Sequence, residues 1–246
     1  KVYNKTIVTG DMVDYLSFGS LYATKTLIAD KSINGSILMT TGNHEFAEWC
    51  QPDDAVIEKM TLAEKYALLS NSWSNDPTYY SEILKTSRGE DNVMIILLDN
   101  GRSSGYYADG TLEKLQASVA EAREKNIPVL IFQHVAMPTF NETESKVYFS
   151  TDNISFGTES NNDGYTDMRT YNNKGGEVTT FIRKNYDVIK GVFVGHEHEQ
   201  VYTEITALDD NGAIIDGEYI PQFTLSASAY GCVGEITLEA NCEHSF

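Results

Sequence analysis

The sequence is poor in cysteine and in long apolar runs. Its three cysteines, Cys50, Cys232 and Cys242, are too few and too scattered for a disulfide framework or a cysteine zinc site. One bridge could form, but buried or indifferent thiols are the simpler interpretation. No stretch approaches the roughly 20 apolar residues of a membrane span, and no charged-then-apolar signal segment opens the chain. We therefore expect no membrane span.

Basic residues are also scarce. The sequence has 18 Lys and Arg but 36 Asp and Glu, which gives a net charge of −18 and a pI near 4.5. No Lys/Arg cluster is dense enough to form a basic patch, and so acidic a surface repels phosphate backbones and anionic membranes. General nucleic-acid binding is therefore not expected. A small phosphorylated substrate could still bind, because divalent metal ions would invert the field locally.

What is present predicts a folded α/β protein. The 246 residues, 41% of them hydrophobic, can bury a sizeable core, and the absence of repeats or linkers favours one domain over residues 1–246. Short apolar runs alternate with helical patterns. The expected strands span 6–9, 36–40, 93–98, 127–132 and 188–194, with antiparallel strands at 200–205, 219–225 and 234–238. The expected helices span 21–29, 61–69 and 178–184, and a further one follows Thr111 as its N-cap.

The segment 138–176 differs from the rest of the chain. It is rich in Asn, Asp, Thr, Ser, Gly and Tyr and shows little periodicity. Loops this long in a compact domain are usually functional or mobile. Because the segment separates two histidine motifs, an active-site lid is one interpretation, and an ordered surface insertion without a binding role is an equal alternative.

Polar side chains follow four of the predicted strands. Asp11, Asn43, His134 and His196 each come shortly after an apolar run, and four of the five histidines lie in these motifs. In an open α/β sheet, the loops beyond the carboxyl ends of the strands line the ligand crevice. The pattern therefore predicts that a carboxylate, an amide and two imidazoles meet at one rim.

Such a ligand set favours particular metals. Mixed oxygen and nitrogen ligands suit manganese, iron or zinc better than calcium or magnesium. Two such ions about 3.5–4 Å apart can share a carboxylate, hold a hydroxide nucleophile and clamp a phosphoryl oxygen. The most specific signals are Gly42-Asn43-His44-Glu45 and Gly195-His196-Glu197-His198. In each, a glycine permits a sharp turn directly before the polar side chains.

Together with Gly10-Asp11 and His134, these motifs resemble the calcineurin-like metallophosphoesterase superfamily over nearly the whole chain. The resemblance implies a four-layer α/β/β/α sandwich of two mixed sheets. It also implies two metal ions (Mn, Fe or Zn) and hydrolysis of a phosphate ester, monoester or diester, by a metal-bound hydroxide.

The resemblance also assigns the metal ligands residue by residue. Asp11 would bridge both ions. Asn43, His134 and His196 would complete the shell of one ion, and His198 would reach the other.

His44 would instead be the catalytic residue, as a hydrogen-bond donor to the phosphoryl or leaving-group oxygen. Asp14 or Glu45 would be its supporting partner. Arg102, just after the third large strand, could clamp a phosphate, although a surface turn is the simpler interpretation of that position.

One family motif is missing. The family begins with Asp-x-His on its first strand, and no Asp-x-His occurs in this sequence. Either that strand belongs to an N-terminal segment outside this chain, or the protein is a degenerate, non-catalytic scaffold with one metal or none. We favour the first, because losing a central strand beside Ile7-Val8 would expose apolar faces and unpaired backbone. A single-metal amidohydrolase is disfavoured because its His-x-His stands early in the chain.

Overall fold

The structure is a computed structural model that describes residues 4–30, 36–46, 57, 59–101, 107–137, 139–141, 146–148, 174–228 and 231–238. Within them helices and strands alternate, as the sequence predicts. The elements are β1 (Lys5–Thr9), α1 (Phe18–Ile28), β2 (Ser36–Thr40), α2 (Leu62–Ser72), β3 (Tyr79–Lys85), β4 (Asp91–Leu98), α3 (Thr111–Glu124), β5 (Val129–Phe132), β6 (Thr139–Asn141), β7 (Lys146–Tyr148), α4 (Lys174–Lys184), β8 (Ile189–Val194), β9 (Val201–Leu208) and β10 (Ile214–Thr224).

The strands form one large sheet and two small ones. The large sheet has the order β3-β4-β5-β8-β10-β9, with parallel pairing from β4 to β10 and antiparallel strands at both edges. β1 and β2 form a separate parallel pair, and β6 and β7 an antiparallel one. The large sheet is thus mixed, as expected, whereas the β1–β2 sheet is parallel throughout its described residues.

The helices and sheets form four layers, and an apolar cluster packs between each pair of neighbouring layers. One cluster, with Leu21 and Leu69, packs α1 and α2 on the β1–β2 sheet. A second, with Leu38 and Ile95, lies between the two sheets. A third, with Leu115, packs α3 and α4 on the far face of the large sheet. Alternate residues of each strand point to opposite faces, so each sheet contributes to two clusters. The α/β/β/α order that the resemblance implies is confirmed.

Local sequence determines where the helices begin. In α2 the Thr61 hydroxyl accepts a hydrogen bond from the amide of Glu64 (3.3 Å), and the Glu64 carboxylate accepts one from the amide of Thr61 (2.7 Å). This pair of hydrogen bonds is a capping box, and it begins the helix that the sequence predicts from residue 61. The expectation that Thr111 caps α3 is wrong by one residue. Gly110 is the N-cap, and the Thr111 hydroxyl donates to the carbonyl of Ala108 at 2.7 Å.

Two other expectations differ from the structure. Residues 234–238 form no strand, and Leu238 packs against the cluster between the sheets instead. The sequence analysis did not predict β3, because its polar and apolar residues are mixed and form no continuous apolar run. Such a mixture suits a half-buried strand at a sheet edge. Most of segment 138–176 lies outside the described residues, so the lid stays a prediction. Within the described part of the chain, no helix is long and apolar enough to cross a membrane.

Candidate metal centre

The expected site residues follow the carboxyl ends of four strands. Asp11 follows β1, Asn43 follows β2, His134 follows β5 and His196 follows β8. The first two strands belong to the β1–β2 sheet and the last two to the six-stranded sheet. The site therefore spans the edges of both sheets, rather than the rim of a single sheet.

The four side chains converge. Asn43 Oδ1 lies 3.0 Å from His134 Nε2 and 3.0 Å from His196 Nδ1, and these two nitrogens are 3.0 Å apart. Asp11 Oδ2 is 3.2 Å from His134 Nε2. Asp11, His134 and His196 also form the one group of His, Cys, Asp and Glu in the described residues whose ligand atoms all lie within 4.8 Å of one another.

The hydrogen-bond chemistry of this cluster fits a cation. His134 Nδ1 lies 2.8 Å from the carbonyl oxygen of Thr9, which can only accept, so Nδ1 carries the proton and the neutral ring presents a lone pair at Nε2. That lone pair faces Asn43 Oδ1 and Asp11 Oδ2, which are also acceptors. Ligands bound at about 2.1 Å to one ion lie about 3 Å apart when they are at right angles. The observed separations match that spacing.

The electrostatics agree with this interpretation. Burial works against the charged form of His134, but the carboxylate of Asp11 outweighs it and raises the pKa of the ring. Burial and the neighbouring His134 lower the pKa of His196 to about 4, so His196 is neutral near pH 7. Burial alone would raise the pKa of Asp11, yet its hydrogen bond and ion pair with His134 lower it. A bound cation would replace the proton that Asp11 otherwise draws to His134.

The backbone at the site is strained. Four described residues other than glycine have positive φ, and three of them are expected metal ligands: Asp11 (51°), His196 (71°) and His198 (56°). Such conformations persist only where the surrounding structure enforces them, and they cluster at functional sites. Before Asp11, Gly10 has a φ of 88°, and a β-carbon there would lie 2.7 Å from Cγ of His134. A side chain at Gly10 would therefore displace a ligand.

Glu45 joins the Asp11 and Asn43 loops. Its fully buried carboxylate accepts hydrogen bonds from the amides of Asp11 (3.1 Å), Val13 (3.2 Å) and Gly42 (2.6 Å). Burial, followed by the charge of Asp11, raises the pKa of Glu45 to about 7. The sequence suggested Glu45 as a partner of the His44 ring. The three hydrogen bonds of its carboxylate are instead with backbone amides of the loops that carry the expected ligands Asp11 and Asn43.

His44 lies beside the ligand cluster and opens to solvent. Its Nδ1 is 2.7 Å from the carbonyl oxygen of Asp14 and 3.4 Å from that residue's carboxylate. Nε2 is 4.0 Å from Asp11 Oδ2, and the backbone amide of His44 donates to Asp11 Oδ1 at 2.9 Å. The structure thus places Asp14 where the sequence expected a supporting partner for His44.

The cluster opens into a groove along β1 of about 670 Å³. The groove is lined by the whole of β1 and by residues 225–228 and 232–235. His44 and the exposed His198 line its end, and His198 lies outside the Asp11–His134–His196 group. Arg102 lies outside the described residues, so its expected contact with phosphate stays a prediction.

One contributor was missed by the sequence reasoning. Asn100 is fully buried, and its side chain bonds the backbone of the loop that carries His134. The available signal was its position, since it follows β4 just as the expected ligands follow their strands.

The family described as calcineurin-like phosphoesterase matches residues 3–200. The chain is similar in structure to a dimetal phosphatase from Danio rerio, with 12% identity, a TM-score of 0.42 and coverage of 91% of this chain and 72% of the other. It is also similar to a Staphylococcus aureus protein provisionally named a 5′-nucleotidase, in complex with alpha-ketoglutarate. The identity is 13%, the TM-score 0.33, and the coverage 83% of this chain and 39% of the other. No curated protein matches the sequence.

Proposed function

Since this chain belongs to the calcineurin-like phosphoesterase family, we propose that it hydrolyses a phosphate ester at a dinuclear metal site. The observation that carries the proposal is that Asn43 Oδ1, His196 Nδ1 and Asp11 Oδ2 lie 3.0–3.2 Å from His134 Nε2. Without a metal ion, protons on the imidazole rings would join these atoms by hydrogen bonds, and a bound cation would replace a proton and take the lone pairs. Bound divalent ions would supply an activated water and positive charge for the phosphoryl oxygens.

The contacts support a ligand role for each of these residues. Asn43, His134 and His196 present their ligand atoms to a common point and would hold one ion. Asp11 touches that point with Oδ2, and its carboxylate also faces the groove, so it would serve both ions. His198, on the groove wall, would turn towards the second ion.

His44 would act on the substrate. Because Nδ1 is held by the Asp14 carbonyl, the ring keeps a fixed orientation. Nε2–H of the ring would donate to a phosphoryl or leaving-group oxygen that enters from the groove. The carboxylate oxygens of Asp14 and Asp11 lie 3.4 and 4.0 Å from the ring nitrogens Nδ1 and Nε2.

We propose further that the second ion takes its remaining ligands from an extended Asp-x-His segment bound along β1. One edge of β1 pairs with β2, and β1 lines the groove that ends at Asp11 and His198. A peptide backbone there could add a strand and deliver side chains to the ion. Intact-mass measurement tests this. Active two-metal protein whose only component has the mass of residues 1–246 would rule the segment out.

Metal content and turnover test the main proposal. We expect about two equivalents of Mn, Fe or Zn per chain and hydrolysis of p-nitrophenyl phosphate or its bis-ester. His134→Ala should lose both, and His244→Ala, outside every motif described above, should lose neither. A preparation that is metal-free and stays inert after Mn²⁺ addition would refute the proposal.

The same cluster favours a second candidate, a non-catalytic member with a single ion. The described residues form one three-residue metal group, and His198 is not part of it. One equivalent of bound metal without turnover of either ester would support this candidate over the enzyme.

A further inference from the structure

The described residues of the turn after β4, Asp99 to Gly101, contact both ligand loops and are not among the expected ligands. On one side, the side chain of Asn100 clasps the loop of His134. Its Oδ1 accepts from the amides of His134 (3.0 Å) and Val135 (2.9 Å), and its Nδ2 donates to the carbonyl of Val135 (2.8 Å). The side chain is fully buried, so no water competes for these bonds.

On the other side, the turn contacts the loop of Asn43. The buried carboxylate of Asp99 accepts hydrogen bonds from the hydroxyls of Thr41 and Tyr66. Gly101 packs so closely on this loop that a β-carbon there would lie 2.6 Å from the carbonyl carbon of Gly42. Thr41 and Gly42 are the residues that lead directly into Asn43.

This arrangement matters because the two ligands come from different layers. Asn43 follows a strand of the β1–β2 sheet, whereas His134 follows a strand of the six-stranded sheet. Apolar packing between sheets is non-directional and tolerates small shifts. A metal site needs its ligand atoms placed within a few tenths of an ångström. Hydrogen bonds from one short turn to both loops provide that precision.

We propose that Asp99 and Asn100 are positioning residues that set the separation of Asn43 Oδ1 and His134 Nε2, and hence the affinity for metal. The inference rests on the proposed function, since it requires the cluster to bind an ion. Neither side chain needs to touch the metal or the substrate. The three hydrogen bonds that join Asn100 to the loop of His134 are all with backbone groups, so they act on the position of that loop, and the side chain has a further hydrogen bond with the side chain of Tyr107.

The chain offers a matched control in Asn75. This asparagine is also buried and makes the same clasp, accepting from the amide of Met39 (2.9 Å) and donating to its carbonyl (2.9 Å). Met39 lies within β2 rather than in a ligand loop. Loss of Asn75 should therefore cost folding stability in the same way as loss of Asn100 without moving a ligand atom.

Two quantities are measured on metal-stripped protein. Calorimetry gives the affinity for Mn²⁺, and urea unfolding gives the folding stability. Asn100→Asp keeps the acceptor but sets a carboxylate oxygen against the Val135 carbonyl, and Asn100→Ala removes the clasp. We expect both to weaken Mn²⁺ binding about 10- to 100-fold, the usual effect of losing a residue that orients a ligand. Asn75→Asp and Asn75→Ala should shift the urea midpoint comparably and leave the affinity unchanged.

Tyr66→Phe serves as a milder variant if the Asn100 variants do not fold. It removes one hydrogen bond to Asp99 and should weaken Mn²⁺ binding in the same direction by a smaller factor. If the folded Asn100 variants bind Mn²⁺ as tightly as the wild type, the positioning role is overturned and the proposed function stays intact. If the Asn100 variants do not fold, wild-type affinity in Tyr66→Phe has the same meaning. Absence of Mn²⁺ binding by the wild-type protein would overturn both.

Discussion

At the scale of single residues, the proposed catalytic role of His44 can be tested separately from metal binding. It follows the expected ligand Asn43 directly, yet its ring is held by Asp14 rather than by the cluster around His134. We expect His44→Asn to lower kcat by about 10²–10⁴-fold, as for loss of a general acid, with the metals still bound. Turnover of p-nitrophenyl phosphate and elemental analysis of the same sample measure the two effects. Loss of metal in this variant would mean that His44 is a ligand.

A second prediction at this scale concerns Gly10. Gly10→Ala should abolish Mn²⁺ binding, because the new methyl group would displace the ring of His134. Gly89→Ala is the matched control, since Gly89 has a similar φ of 82° and nothing within 4 Å of a β-carbon. Both variants should lose about 1–2 kcal/mol of stability to the left-handed backbone. Calorimetric titration with Mn²⁺ distinguishes them, and binding by Gly10→Ala would show that His134 is not held as the structure has it.

At the scale of elements, the start of α2 illustrates how local sequence contributes to stability. Thr61→Ala removes the hydroxyl that caps the amide of Glu64, and we expect a loss of about 1 kcal/mol in the free energy of unfolding. Thr26→Ala is the control, because this exposed hydroxyl within α1 only donates to the carbonyl of Tyr22. Urea unfolding at pH 7 compares them. Equal effects of the two substitutions would show that the capping box contributes nothing.

The other half of the capping box predicts a pH dependence. The hydrogen bonds from Thr61 lower the pKa of Glu64 below its ordinary 4.5. A lowered carboxyl pKa stabilises the folded protein above pH 4.5, and this contribution disappears as the pH falls through the folded value. The stability difference between wild type and Glu64→Gln should therefore be present at pH 7 and vanish in acid. Urea midpoints between pH 3 and 7 measure it, and a constant difference would contradict the assignment.

At the scale of the whole molecule, a metal ion would link the two sheets. The proposed ligands Asp11 and Asn43 follow strands of the β1–β2 sheet, and the proposed ligands His134 and His196 follow strands of the six-stranded sheet. We expect Mn²⁺ to raise the unfolding temperature of stripped protein. At 100 times Kd the added stability would be about 2.7 kcal/mol. His196→Ala should lose this response and His44→Asn should keep it, as thermal unfolding with and without Mn²⁺ would show. A response retained by His196→Ala would place the ion elsewhere.

Much of the molecule could be predicted from local sequence. Apolar runs such as 36–40 and 93–98 match β2 and most of β4, because the hydrophobic pattern that predicts a buried strand lies in consecutive residues. Polar residues shortly after such runs, Asn43 after 36–40 and His134 after 127–132, predicted a ligand rim because their positions are also a matter of local sequence. The capping box at Thr61 was equally readable, since both partners lie within one helical turn.

The tertiary structure alone decided how these parts meet. His134 hydrogen-bonds the carbonyl of Thr9 across 125 residues of chain, and no local pattern encodes that contact. The hydrogen bonds of Glu45 and Asn100 with backbone groups of the two loops depend likewise on how the two sheets pack. So do the left-handed backbone conformations at Asp11 and His196. Residue order determined which side chains end the strands, because secondary structure is local. Packing decided that those ends converge, because apolar burial brings distant strands together and only then can their polar groups meet.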